Sequence, residues 1–133
     1  LAIENLRNKD NVLAAMERYK DRENVRYCYD AGHEYCYTPG VDWIKIFGDK
    51  LICTHIHDNL GKGQKDAHLL PFEGTVDWED VAFGMRCCGF EGVLDVEVTT
   101  WALPGDEQTR NEFGGKALSA ARRLLYMADQ IKL

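Results

Sequence analysis

The sequence is short of cations and has no long apolar run. Its 133 residues hold 16 Lys and Arg against 22 Asp and Glu, a net charge of −6 with histidine neutral. That deficit excludes a bulk electrostatic grip on DNA or on an anionic membrane, while leaving room for a local basic site. No stretch approaches the roughly eighteen apolar residues of a membrane span. The N-terminus has no basic stretch leading into an apolar core, so no secretory signal is visible. Five cysteines are an odd number and none forms a C-x-x-C pair. This argues against a disulfide framework and for buried free thiols in a reducing, cytoplasmic setting. Low-complexity segments and linkers are absent. What is present is 45% hydrophobic and 29% charged, the balance of one folded domain with a real core rather than a disordered chain.

Short apolar runs alternate with helical patterns. Strands are predicted at Leu1–Glu4, Val25–Asp30, Leu51–His55 and Val93–Glu97. Val12, Leu13, Met16 and Tyr19 recur at helical spacing behind Asn8 or Asp10 as a cap. Thr38-Pro39 reads as an N-cap and first helical position for a helix through Trp43, Ile44 and Phe47 that stops at Gly48. Asp77 caps a helix carrying Trp78, Val81, Ala82 and Met85, which ends at Gly89. After a Pro104-Gly105 turn, Ala117, Ala121, Leu124, Ala128 and Ile131 form the apolar face of a long helix. The polar loop from Asp58 to Gly74 has room for a short extra strand near Leu69–Thr75. Trp43, Trp78 and Tyr19 fit helix faces and read as core. Strand alternating with helix implies a parallel α/β sheet.

The informative pattern is what ends each strand. Glu4, Asp30, His55 and Glu97 each place an acid or an imidazole after apolar residues and before a loop. In an α/β barrel the C-terminal strand ends converge on one face, so four groups far apart in sequence become neighbours. Carboxylates with an imidazole are ligands for Mn²⁺, Mg²⁺, Zn²⁺ or Co²⁺. Taken singly, such a carboxylate often just caps the next helix. Asp95 shares strand parity with Glu97, which makes it either a buried acid of the barrel floor or a sign that the strand register differs. His33, His57, Asp66 and His68 form a second layer of candidates for substrate contact. His57 and Asp58, taken alone, read as solvated loop residues. Gly61-Lys62-Gly63 fails the phosphate-loop pattern, with no Gly at 56 and no Ser or Thr after Lys62. Lys62 and Lys65 belong to a solvated loop that could close over a substrate.

Several strings, taken in order, carry a resemblance: ENL at Glu4, DAGH at Asp30–His33, HIHDN at His55–Asn59, LLPFEGTVDW at Leu69–Trp78 and FEGVLDVEV at Phe90–Val98. Together they resemble the sugar phosphate isomerase/epimerase proteins of the xylose-isomerase-like TIM-barrel superfamily. The resemblance implies a (β/α)₈ barrel with one divalent metal held by Glu4, Asp30, His55 and Glu97. It implies that His33 contacts substrate oxygen. It further implies that Glu4 and Glu97 are the acid/base pair, moving a proton next to a carbonyl through an enediolate. The abasic-site endonuclease branch of the same superfamily uses more ligands and three zinc ions, and Asp66 and His68 resemble its D-x-H pair. The acidic charge and the LPFEGTVDW string weigh against that branch.

Length sets the limit on this expectation, because a complete barrel needs around 250 residues. The chain opens on Leu1 as if within a strand, and residues 1–133 read as the C-terminal half of one barrel, from its fourth strand onward. The expected partners are a small sugar or sugar phosphate and either a second copy or a missing N-terminal half; the alternative is a truncated, inactive domain. Nucleic acid and membrane are not expected partners.

Overall fold

The computed structural model describes residues 1–63, 65–99 and 105–133. Each helix begins where a polar side chain can take up the free N–H groups of its first turn. Asn8 accepts from the Asn11 N–H and starts α1 (Lys9–Arg18), which follows β1 (Ala2–Glu4). Asp30 closes β2 (Arg26–Asp30) and at once caps α2 (Ala31–Tyr37). Asp42 caps the short α3 (Trp43–Phe47), and a 3₁₀ turn at Gly48–Lys50 leads into β3 (Leu51–His55). Asp77 accepts from Glu79 and Asp80 to start α4 (Trp78–Cys87). After β4 (Val93–Asp95), Asp106 caps α5 (Glu107–Gln130).

The four strands pair in parallel in the order β1-β2-β3-β4. Register sorts the side chains into two faces. Ile3, Tyr27 and Leu51 align in one row, and Tyr29, Thr54 and Leu94 in the next. These rows face the helices, where Val12, Met16, Trp43, Ile44, Trp78, Val81, Met85, Leu124 and Ala128 complete the core. Burying a side chain such as Leu124, which has no exposed surface, contributes about 2 kcal/mol. The opposite face carries Glu4, Cys28, Cys53 and Val93 in one row and Asp30, His55 and Asp95 in the next. It is open: Val93 is 66% exposed. Ile52 is the extra residue of a bulge between the Tyr27–Leu51 and Cys28–Cys53 pairs.

Several expectations need correction. Thr38 does not start a helix. It ends α2, whose existence the sequence pattern did not suggest, and its hydroxyl accepts from Trp43 Nε1 at 2.8 Å. No extra strand forms near Leu69–Thr75 among the described residues; one antiparallel bridge joins Asp58 and Leu69. The backbone there is drawn to side chains instead, because Asp58 accepts from Phe72 N, Val76 N and Trp78 Nε1. Asp58 and His57 are fully buried rather than solvated. Tyr19 caps the end of α1 at 40% exposure, outside the core, with Arg18 over its ring. Strand β4 stops at Asp95, which is exposed rather than buried in a barrel floor, and Glu97 continues the edge by donating its N–H to Ile56 O. None of the five cysteines forms a disulfide, but only Cys28 and Cys36 are buried, and Cys87 is exposed. α4 ends at Cys87, with Gly89 at φ +66 just beyond. The last helix follows position 105 as expected, starting at Glu107, while Pro104 of the expected turn lies outside the described residues. Among the described residues no helix is long and apolar enough to cross a membrane.

Candidate metal centre

Parallel register brings the strand ends together. Asp30 aligns with His55, and Glu4 ends β1 beside them. Glu4, Asp30, His55 and Glu97 each offer one ligand atom, and all four atoms lie within 4.8 Å of one another. His55 Nδ1 lies 3.3 Å from Glu4 Oε1 and 3.1 Å from Glu97 Oε2. Neither contact has hydrogen-bond geometry, so this buried nitrogen has no hydrogen-bond partner. A buried lone pair surrounded by misaligned carboxylates is costly by itself, and it fits a divalent cation at the common focus. Three carboxylates and one imidazole suit Mn²⁺, Mg²⁺, Zn²⁺ or Co²⁺.

The four residues differ in surroundings. Asp30 is fully buried and held on all sides. One oxygen accepts from the His33 N–H at 2.7 Å, and His57 Nε2 lies 3.1 and 3.2 Å from the two oxygens. The helix cap and one member of the candidate metal group are thus the same residue. Glu97 is the accessible member, its side chain 47% exposed. Burial raises the Glu4 carboxyl, but the hydrogen bond from His33 and the charges of His55 and His33 outweigh it and hold it down at about 2.

A second group adjoins the first. His33, His57, Asp66 and His68 also offer ligand atoms within 4.8 Å of one another. His33 Nε2 meets Asp66 Oδ2 at 3.0 Å, and His68 Nε2 meets the same oxygen at 3.5 Å. The His57 and His68 rings stack with centroids 4.0 Å apart. Asp66 Oδ1 is buried without a hydrogen-bond partner, the counterpart of His55 Nδ1 in the first group. Burial lowers His33, but Glu4, Asp30 and Asp66 overcome it and raise the imidazole to about 9. Burial also opposes the charged form of His57, and the hydrogen bond to Asp30 outweighs it, so its pKa is raised. Gly32 is required here because a methyl group on it would fall inside the His57 ring. His68 takes φ +46, a strained value for a side chain other than glycine, and its Nδ1 contacts Glu97 O at 3.0 Å.

The structure therefore assembles all eight residues singled out from the sequence into two adjoining groups. Lys62 and Lys65 are exposed on the loop. Sequence reasoning missed Asn5 and Asn59, both fully buried. Asn5 touches Tyr27, Asp30 and His33, while Asn59 donates to Gly32 O and accepts from Gly61 N. They stand in the strings ENL and HIHDN; their only signal was a polar amide close behind an apolar strand.

The comparisons with known proteins agree with this architecture. The xylose isomerase-like TIM barrel family matches residues 1–115. An uncharacterised protein of Sinorhizobium fredii, y4fM, is 38% identical over 73% of this chain and 32% of its own length. The crystal structure of D-psicose 3-epimerase with D-tagatose, from Clostridium cellulolyticum H10, has a TM-score of 0.65 at 15% identity, covering 96% of this chain and 48% of that one. The crystal structure of the IolI protein with a bound zinc atom has a TM-score of 0.62 at 17% identity, covering 97% of this chain and 46% of that one. The chain spans about a third of that curated relative and about half of those solved structures.

The ion pair of Glu4 with His33 gives the metal-free chain a defined pH response. His33, raised from 6.5 to about 9, contributes stability that is full below pH 6.5 and lost as pH rises through 9. Glu4, lowered from 4.5 to about 2, contributes stability that is full above pH 4.5 and lost as pH falls through 2. Urea denaturation of the metal-free chain should therefore show its highest midpoint between pH 4.5 and 6.5. Glu4→Gln should flatten the decline between 6.5 and 9; an unchanged decline would show that Glu4 is not the partner that raises His33.

Proposed function

The chain belongs to the xylose isomerase-like TIM barrel family, and on that premise we propose that it is a metal-dependent isomerase or epimerase of a sugar or sugar phosphate. One observation carries the reading: three carboxylates from three chain segments surround an imidazole nitrogen that has no hydrogen-bond partner. Support comes from the likeness to a solved D-psicose 3-epimerase and to the zinc-bearing IolI protein. Glu4, Asp30, His55 and Glu97 would hold one divalent cation. When bound, such a cation polarises a substrate carbonyl and makes the neighbouring C–H acidic enough for a carboxylate to deprotonate.

The protein's own groups do the rest. Glu97, the accessible carboxylate, accepts the proton from the carbon next to the carbonyl. Glu4 is its partner, so that a proton taken from one face can be returned to the other. His33, His57, Asp66 and His68 line the adjoining wall, where imidazole and carboxylate groups meet substrate hydroxyl or phosphate oxygens. The open sheet face with the exposed Val93 is covered by further barrel strands, supplied by a longer polypeptide or by a second copy of this chain.

The second group favours one other reading, a metal-dependent phosphodiesterase acting on abasic DNA, because its three histidines and one aspartate are themselves a metal-ligand set. The net charge of −6 weighs against a DNA substrate.

Three measurements test these statements. Glu97→Gln, fully metal-loaded, should lose at least about 100-fold in deuterium uptake from solvent next to the ketose carbonyl; wild-type uptake would overturn the acid/base assignment. Cleavage of an abasic duplex, lost in His68→Ala, would select the phosphodiesterase instead, and no cleavage is expected. Native mass spectrometry should show a closed barrel, from one long chain or two copies, with about one divalent ion per site; a metal-free monomer of 133 residues would overturn both the cofactor and the assembly.

A further inference from the structure

We propose that Asn5 is a positioning residue for the metal group, its side-chain amide setting the spacing of Glu4 and Asp30 and its main-chain carbonyl the orientation of the His33 ring. The inference rests on the metal reading above and assigns a role to a residue outside both ligand groups. Ladder pairing between β1 and β2 ends at Glu4, opposite Cys28. Beyond that point the chain leaves the sheet for α1, and on the β1 side the Asp30 backbone has no strand beside it. The Asn5 amide takes the place of the missing strand. Its Nδ2 donates to Asp30 O at 2.8 Å, and its Oδ1 accepts from Asp30 N at 2.7 Å. Tyr27 Oη also donates to Oδ1, at 2.7 Å.

These three bonds leave the amide one orientation. A flip would set the Nδ2 donor against the Asp30 N–H and Oδ1 against the Asp30 carbonyl. Asn5 has no exposed surface, so water cannot replace any of the three. The two ligands Glu4 and Asp30 are therefore joined through one side chain: Glu4 is its covalent neighbour and Asp30 is held at both backbone atoms. The third link is to His33. Its Nδ1 faces Asn5 O at 3.1 Å, Glu4 Oε1 at 3.0 Å and Asp30 Oδ2 at 3.3 Å. A backbone carbonyl and a carboxylate can only accept, so Nδ1 donates on the Asn5 side while Nε2 donates to Asp66 Oδ2 in the second group, and the ring is oriented from both nitrogens. An imidazole oriented by a carbonyl on its far nitrogen is a common support for metal and substrate sites.

The test uses Co²⁺ as probe in the full-length polypeptide, reading affinity and visible absorption alongside the melting temperature in EDTA. Asn5→Asp keeps the shape but loses the Nδ2 donor and sets a carboxylate oxygen against Asp30 O. It should fold, bind Co²⁺ about 10- to 100-fold more weakly, and shift the absorption band that reports ligand geometry. Leu6→Ala, at the exposed neighbour, should leave affinity and band unchanged. Where Asn5→Asp fails to fold, Tyr27→Phe decides: it keeps the ring in the core, removes one bond to Oδ1, and should weaken Co²⁺ several-fold with a band shift. A folded variant with wild-type affinity and band would overturn the role of Asn5 and leave the metal reading standing. A wild-type protein that gives no Co²⁺ band would overturn the metal reading itself.

Discussion

A carboxylate with no exposed surface must have its oxygens met by hydrogen-bond donors, and Asp30 is such a carboxylate. Its donors come from three directions: the first turn of α2, the imidazole of His33 and the imidazole of His57. Each donor is placed by a separate feature. α2 must start directly at the strand end. Gly32 must lack a side chain so that the His57 ring can approach. The Asn5 amide must hold the Asp30 backbone from the side of β1. The strand ends, the first turn of α2 and both histidine-bearing segments are therefore one construction around a single buried charge.

Asp58 organises the neighbouring loop in the same way. Buried behind β3, it collects N–H groups from Asn59, Phe72, Val76 and the Trp78 indole. The loop between β3 and α4 is folded around that carboxylate rather than into a strand, and so Asp66 and His68 come back over the strand ends. His68 takes a strained backbone angle there and is tied to the Glu97 segment by its ring and by its carbonyl, which accepts from Thr99 N. The loop strain and the ligand positions share one origin.

Charge and hydrogen bonding divide the labour between the two residue groups. In the first, carboxylates outnumber imidazoles, and the orphaned His55 nitrogen marks a focus for a cation. In the second, three imidazoles surround one aspartate, a set equally able to meet oxygen atoms of a polyol or phosphate. Their contact through His33 makes the two groups electrostatically continuous. The same ion pair holds Glu4 ionised and His33 protonated over a wide span of pH in the metal-free chain.

The sequence by itself determined the alternation of strand and helix, because apolar periodicity and caps are local properties. It also determined which polar residues end the strands: Glu4, Asp30 and His55 stand out because an ionisable group behind an apolar run has few reasons to be there. Glu97 was found by the same signal, although the ladder stops two residues before it. Only the tertiary structure decided which of those residues meet. It showed Asp30 to be a helix cap within the candidate metal group, gave the Trp43 helix Asp42 rather than Thr38 as its cap, added a helix at Ala31–Tyr37, and turned His57 and Asp58 from apparent loop residues into fully buried ones. The reason is physical: a cap or a strand is written in neighbouring residues, whereas the burial of a charge depends on donors that arrive from segments tens of residues away.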